Sequence, residues 1–209
     1  MTNATAGLID QYVRESARAL TETDTTKIEQ VVGMLLDAYH RKSTVYTVGN
    51  GGSASTAAHF AADLGKFATG GRRGFRSLDL TGNVSSLTAW TNDEEWGSVY
   101  ENILAPYLEP YDVVVAFSVH GGAGGWSDNL LRALQLARSR GAGTIGFAGD
   151  GGGRFLDVCD VTVVVPQVPD HLITPVTESL HVSLFHLLCA CTRQALAAGP
   201  DEAHPETHV

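Results

Sequence analysis

The sequence predicts an α/β fold, a doubly wound five-stranded parallel sheet preceded by an N-terminal helical hairpin. Three observations carry this. From residue 43 onward, segments of strand character alternate with segments of helical periodicity. Two of the strands, VVVAF at 113–117 and VTVVV at 161–165, are almost wholly apolar and β-branched, as strands buried on both faces are. Each glycine cluster (49–52, 121–125, and 149 with 151–153) follows a strand, so the flexible loops gather at one edge of the sheet, where ligands of such folds bind.

The elements follow in order. Residues 5–41 place Leu8, Ile9, Tyr12, Val13, Ile28, Val31, Val32, Leu35 and Leu36 at helical spacing, interrupted by the cap-rich stretch Thr21–Thr26. Two antiparallel helices are expected there. Strands are expected at Ser43–Gly49, Arg76–Leu80, Asp112–Phe117, Gly143–Ala148 and Val161–Val165. Helices are expected at Ser53–Phe67, Asn83–Asn92, Asp93–Ala105, Ser127–Arg140 and Thr177–Ala197. The whole reads as one domain over 1–198, with 1–41 as an oligomerisation hairpin and 42–198 as the α/β core, followed by a polar, mobile tail at 199–209.

Bulk composition narrows the function. A net charge of −9 with only 14 Lys plus Arg argues against nucleic acid or an anionic membrane as the main partner, since both reward basic surfaces. The three cysteines, Cys159, Cys189 and Cys191, have neither zinc-knuckle spacing nor the even count of a disulfide framework. The N-terminus lacks a signal-peptide pattern and no run approaches the ~18 consecutive apolar residues of a membrane span, so a cytoplasmic protein is expected.

The chemistry is expected at VYTVGNGGSASTAAHFAAD, residues 45–63. Gly49, Gly51 and Gly52 let the backbone turn tightly against a ligand, while the amides and Ser53 at the helix start favour an anion, naturally a phosphate. His59 and Asp63 stand four apart on the following helix, hence on one face with Cβ atoms about 5–6 Å apart. This spacing suits a metal or a proton-transfer pair.

GNGGS at 49–53 with HFAAD at 59–63, Asn92–Asp93, Ser118 through Asn129, GFAGDGGG at 146–153 and ESLHVSLFH at 178–186 together resemble the sugar isomerase (SIS) domain family, in particular its phosphoheptose isomerases. The likeness runs from about Leu8 to Arg193. It implies the flavodoxin-like SIS fold, a homotetramer with the N-terminal helices at its centre and active sites between subunits, bound zinc, and conversion of sedoheptulose 7-phosphate to an aldoheptose phosphate through an enediolate. Carried over by position, the metal set falls on His59, Asp63, Glu178 and His186. The acid/base set falls on Asp63, Glu178 and His186. Sugar-phosphate contacts fall on Asn50, Gly51, Gly52, Ser53, Asn92, Asp93, Ser118, Val119, His120 and Ser127.

Two departures matter. Asp63 stands where the family carries glutamate, and Glu178 where it carries glutamine, so a carboxylate has moved and either residue can be the base. Two imidazoles and two carboxylates suit zinc but also other divalent ions. Eight helical residues rise about 12 Å, so Glu178 and His186 reach one ion only if both side chains extend toward it. His181 is a spare candidate, three residues from Glu178. The second departure is the loop after the third strand. The family's hydroxyl-rich Ser-Thr-Ser-Gly-Asn-Ser is replaced by SVHGGAGGWS, in which backbone amides and a cationic His120 remain to hold a phosphate. A non-catalytic SIS protein that binds the replication initiator, a sugar-phosphate sensor, or a lyase on the same fold are the alternatives, and the histidines and carboxylates favour the enzyme.

Overall fold

A computed structural model describes residues 3–199. The expected tail at 199–209 therefore lies, beyond Gly199, outside the described residues. Five strands, β1 (Thr44–Gly49), β2 (Arg76–Asp79), β3 (Val113–Ser118), β4 (Gly143–Ala148) and β5 (Val161–Val164), form one sheet in the order β2-β1-β3-β4-β5. All pairings are parallel, with Tyr46 of β1 opposite Leu78 and Val114, and Ile145 of β4 opposite Val161. Register is pinned at the entry edge by carboxylates. Asp112 accepts the Thr44 amide at 2.7 Å, and Asp160 accepts the Thr144 amide at 2.8 Å.

Eight α-helices among the described residues surround the sheet. They are α1 (Asn3–Thr21), α2 (Thr25–Arg41), α3 (Gly52–Lys66), α4 (Val84–Asp93), α5 (Val99–Leu104), α6 (Asp128–Ser139), α7 (Phe155–Val158) and α8 (Ile173–Ala198). Helices α1, α2, α3 and α8 cover one face, burying Leu35, Phe60, Leu64, Leu184 and Phe185 against Val115, Phe117, Ile145 and Phe147. Helices α5, α6 and α7 cover the other, where Tyr100, Leu104, Leu131, Leu134 and Phe155 meet Tyr46, Val48, Val114 and Ala116. Alternate residues of β3 thus enter opposite cores, each worth about 1.5–3 kcal/mol for a fully buried aliphatic side chain.

The N-terminal hairpin forms as expected, with Asp24 capping α2 through a 2.9 Å bond from the Thr26 amide. Helix α1 buries Ala19 yet leaves Leu8, Ile9, Val13 and Leu20 exposed. Two helical expectations are corrected. The single helix over Asp93–Ala105 is broken, because α4 ends at Asp93, Glu95 is extended and drawn to Arg132 of α6 at 2.5 Å, and a short 3-10 turn at Trp96–Ser98 precedes α5. Helix α8 starts at Ile173, four residues before the expected Thr177. Pro175 falls in its first turn, where no amide is needed for the helix ladder, so proline is tolerated there. By length and composition the stretch Asp170–Ala198 could cross a membrane, but half of its most apolar window is buried inside the domain, where Val176, Leu180, Leu184 and Leu188 form core.

Candidate active site

The strand order reverses direction between β1 and β3, and the loops leaving their carboxyl ends open into clefts, as a doubly wound sheet requires. From β1 the chain turns through Asn50 and Gly51 into α3. A Cβ on Gly49 would strike the Ser53 carbonyl, so only glycine permits so tight a strand-to-helix turn. Gly51 caps α3 with φ +56° and without a side-chain bond, which leaves the positive end of the helix facing the cleft. Asn50 is locked by a reciprocal amide pair with the buried Asn129 of α6. Its Nδ2 donates to Asn129 Oδ1 at 3.0 Å and its Oδ1 accepts from Asn129 Nδ2 at 2.9 Å.

On the next turns of α3, His59 and Asp63 meet His186 of α8. Nε2 of His59 lies 3.8 Å, and Nε2 of His186 3.4 Å, from Asp63 Oδ2. One donor atom from each of the three lies within 4.8 Å of the others. Phe185 backs both imidazoles, with its ring centroid 4.9 Å from His59 and 4.3 Å from His186. The two histidines are about half exposed, so the cluster opens outward. Two imidazole nitrogens and one carboxylate oxygen match a catalytic zinc site, which takes three protein ligands and keeps a position open for water or substrate. The donor set therefore fits a divalent ion.

Glu178 stands apart from this trio. It lies in the second turn of α8, with its carboxylate packed on the first residue of α3, where a Cβ on Gly52 would stand 2.5 Å from both carboxylate oxygens. The three-residue cluster does not include Glu178, which stands eight helical residues, about 12 Å of rise, from His186 along α8. Glu178 instead lines both clefts beside it. One, about 330 Å³, is shared with Ser55 and His59; the other, about 130 Å³, with Ser53, Ser118, Val119, His120 and Ser127. The carboxylate thus stands between the imidazole trio and the loop pocket, over a helix N-terminus that favours its charge.

The loop pocket is built from the residues after β3. Oγ of Ser118 accepts the Gly121 amide at 3.1 Å and lies 3.4 Å from the Ser127 hydroxyl. Ser127 starts α6 with φ +59°, a conformation a non-glycine residue rarely holds. Ser53, 3 % exposed, closes the floor. Gly51 lines a separate open cleft beside Asn50, Thr81 and Tyr100, whose hydroxyl donates to the Gly49 carbonyl at 2.9 Å. Burial, with Asp79 nearby, pushes the Tyr100 phenol up to about 12, so it remains a donor.

Other expected residues fall elsewhere. Asn92 and Asp93 end α4, exposed and bonded to each other at 2.8 Å, and neither lines the two clefts beside Glu178. His181 is turned into the core, fully buried against Phe117 and Phe147 with ring centroids 5.8 and 5.9 Å away. Burial drives its pKa down to about 4, the Ala148 carbonyl opposing only slightly, and neither ring nitrogen makes a hydrogen bond of normal geometry. It is a neutral core residue. Burial likewise pushes the Cys159 and Cys189 thiols up to about 12, so neither offers a thiolate. Asn129 and Asp150, which shape the site, fall within motifs read in the sequence, Ser118 through Asn129 and GFAGDGGG, but carry no role there, while Trp126 stands in the loop SVHGGAGGWS.

A family model described as SIS domain matches residues 10–149. Over 171 residues, covering 82 % of this chain and 87 % of the relative, the sequence is 34 % identical to a phosphoheptose isomerase of Rhodospirillum rubrum. Over 159 residues, 75 % of this chain, it is 46 % identical to the lincomycin biosynthesis protein LmbN of Streptomyces lincolnensis, spanning 58 % of that protein's length. The fold superposes on the structure of phosphoheptose isomerase GmhA from Neisseria gonorrhoeae with a TM-score of 0.79 and 25 % identity, covering 91 % of this chain and 97 % of that one.

Proposed function

This chain belongs to the SIS domain family and within it to the phosphoheptose isomerases, and from that premise we propose that it interconverts the ketose and aldose forms of a phosphorylated seven-carbon sugar, with sedoheptulose 7-phosphate as substrate. One observation carries the reading. A carboxylate outside the metal-type cluster, Glu178, bridges that cluster and an amide- and hydroxyl-lined pocket at a helix N-terminus.

Ketose-to-aldose conversion removes a proton from C1, passes through an enediolate and delivers a proton to C2. The hydroxyl proton moves between the two oxygens, so nothing is gained or lost overall. We assign the carbon-to-carbon transfer to Glu178. Asp63 sits between two imidazoles at 3.8 and 3.4 Å and is committed to them, whereas Glu178 fronts both clefts. His59, Asp63 and His186 would hold a divalent ion, zinc by the donor set, which when bound stabilises negative charge on the sugar oxygens. Ser118, Ser127 and the α3 amides hold the phosphate, and that remote anchoring is spent on placing C1 and C2 against Glu178. Asn50, fixed by Asn129, and Tyr100 order the backbone where β1 enters the site.

The exposed apolar residues of α1, together with the outward-facing imidazoles, support a homotetramer in which a neighbouring subunit closes the site and supplies contacts such as those of Asn92 and Asp93. A cytoplasmic location belongs to the same proposal. The test is product analysis after incubating sedoheptulose 7-phosphate with protein as purified, after chelation and after zinc is restored. The proposal expects an aldoheptose phosphate, lost on chelation and regained with zinc. A metal-replete protein that forms no aldose refutes it.

A further inference from the structure

The loop pocket has an unusual charge makeup. Among its lining residues none is lysine or arginine, and His120 is the one side chain able to carry positive charge. His120 is not free to wander, although five of the next six residues in the chain are glycine or alanine, with little to hold a ring. Its Nδ1 lies 3.1 Å from Oδ2 of Asp150, on the loop after β4, and each side chain is 35 % exposed. Trp126 covers it from the other side, ring centroids 5.8 Å apart and tilted by 41°. The two loops are tied together by backbone as well. The Gly149 amide donates to the Val119 carbonyl at 3.0 Å, and the Phe155 amide to the Gly121 carbonyl at 3.0 Å.

Asp150 holds φ +46°, and Ser127, across the pocket, φ +59°. Left-handed backbone at non-glycine residues is costly and persists where the surroundings enforce it. A carboxylate only accepts hydrogen bonds, so the His120 proton facing it sits on Nδ1, and Nε2 is the nitrogen left for a ligand. The charged groups facing His120 are Asp150 and, across the same pocket, Glu178. A phosphate that accepts from Nε2–H places the imidazolium between two anionic oxygens, a charge-assisted pair on each side.

We propose that Asp150 is a positioning residue that aims His120 at the terminal phosphate of the substrate, so that a histidine–aspartate pair supplies the positive charge of this anion pocket. The inference rests on the reading of the pocket as the phosphate end of an isomerase site. Its test does not need turnover. Inorganic phosphate is titrated by calorimetry into the full-length wild type, Asp150→Gly, Asp150→Asn, His120→Ala and the double variant His120→Ala/Asp150→Gly. Glycine is chosen because it accepts φ +46° without strain, whereas alanine would not.

Asp150→Gly and His120→Ala each weaken phosphate about 10-fold, and the double variant is no weaker than either. Asp150→Asn recovers most of the affinity, since its amide oxygen still accepts from Nδ1–H. Long-range proton–nitrogen spectra show a protonated His120 Nδ1 in the wild type and in Asp150→Asn but not in Asp150→Gly, a change that a merely structural loop residue would not produce. Wild-type affinity in Asp150→Gly overturns the proposal, as do losses that multiply to about 100-fold in the double variant, or a wild type that binds no phosphate. The two failures are distinguishable. If the isomerase reading alone is wrong, phosphate affinities follow this pattern without turnover; if the inference alone is wrong, the sugar is isomerised while Asp150→Gly binds phosphate like wild type.

Discussion

Gly52→Ala separates the stability of this fold from its chemistry. The added Cβ would stand 2.5 Å from both Glu178 oxygens, about 1 Å inside ordinary van der Waals contact, so the carboxylate must swing away from the α3 N-terminus. The backbone can accept alanine, because Gly52 is not among the residues with positive φ. Alanine at a compatible position stabilises by about 0.4–1 kcal/mol through the unfolded chain. Displacing a side chain in an open cleft costs a similar amount, so the melting temperature stays within about 2–4 °C of wild type. Turnover behaves differently. A misplacement of about 1 Å in a proton-transfer group costs about 100-fold, and kcat for the sugar phosphate falls by that factor while bound metal is unchanged, because Glu178 is outside the imidazole trio. Kinetics, calorimetric melting and elemental analysis on one preparation read all three. Wild-type kcat in Gly52→Ala would refute the assignment of Glu178.

Three further outcomes follow from the same geometry. His59→Ala and His186→Ala each remove one of three donors, so metal content measured by elemental analysis collapses while the circular dichroism spectrum stays native, both residues being about half exposed. His181 has a folded pKa of about 4 against 6.5 unfolded, so the unfolded chain binds the extra proton and stability falls as pH drops from 6.5 toward 4. Relative to His181→Leu, the wild type loses about 2 kcal/mol between pH 7 and pH 5 in urea unfolding, and parallel curves for the two proteins would contradict this. Asn129→Ala strands the side-chain amide of Asn50, while the Leu130 amide, which Asn129 Oδ1 accepts at 3.0 Å, keeps the Ser127 carbonyl, so urea unfolding registers a loss of about 1–3 kcal/mol together with a raised KM.

Much of this was legible in the residues. Apolar β-branched runs named β3 and β5, and glycine clusters marked the ligand edge, because a parallel strand buried on both faces and a loop that must turn under a helix leave few sequence solutions. His59 and Asp63 were paired by helical spacing alone, and His186 joins them in the structure. What local pattern could not give was height and direction along α8. Glu178, His181 and His186 share one helix, yet the first fronts the clefts, the second is core and the third meets α3, since packing of α8 against both α3 and the sheet sets which way each side chain turns. Asp150 was hidden for another reason. Its partner His120 is 30 residues away on a different loop, and only the adjacency of β3 and β4 brings them together.

Hydrogen exchange into substrate from deuterated water, compared between metal-loaded wild type and Glu178→Gln, probes the proton carrier directly. With sedoheptulose 7-phosphate, the wild type is expected to incorporate deuterium beside the carbonyl, while Glu178→Gln, holding the same metal content, incorporates it at least 100-fold more slowly. Equal exchange in both proteins would show that Glu178 does not carry the proton.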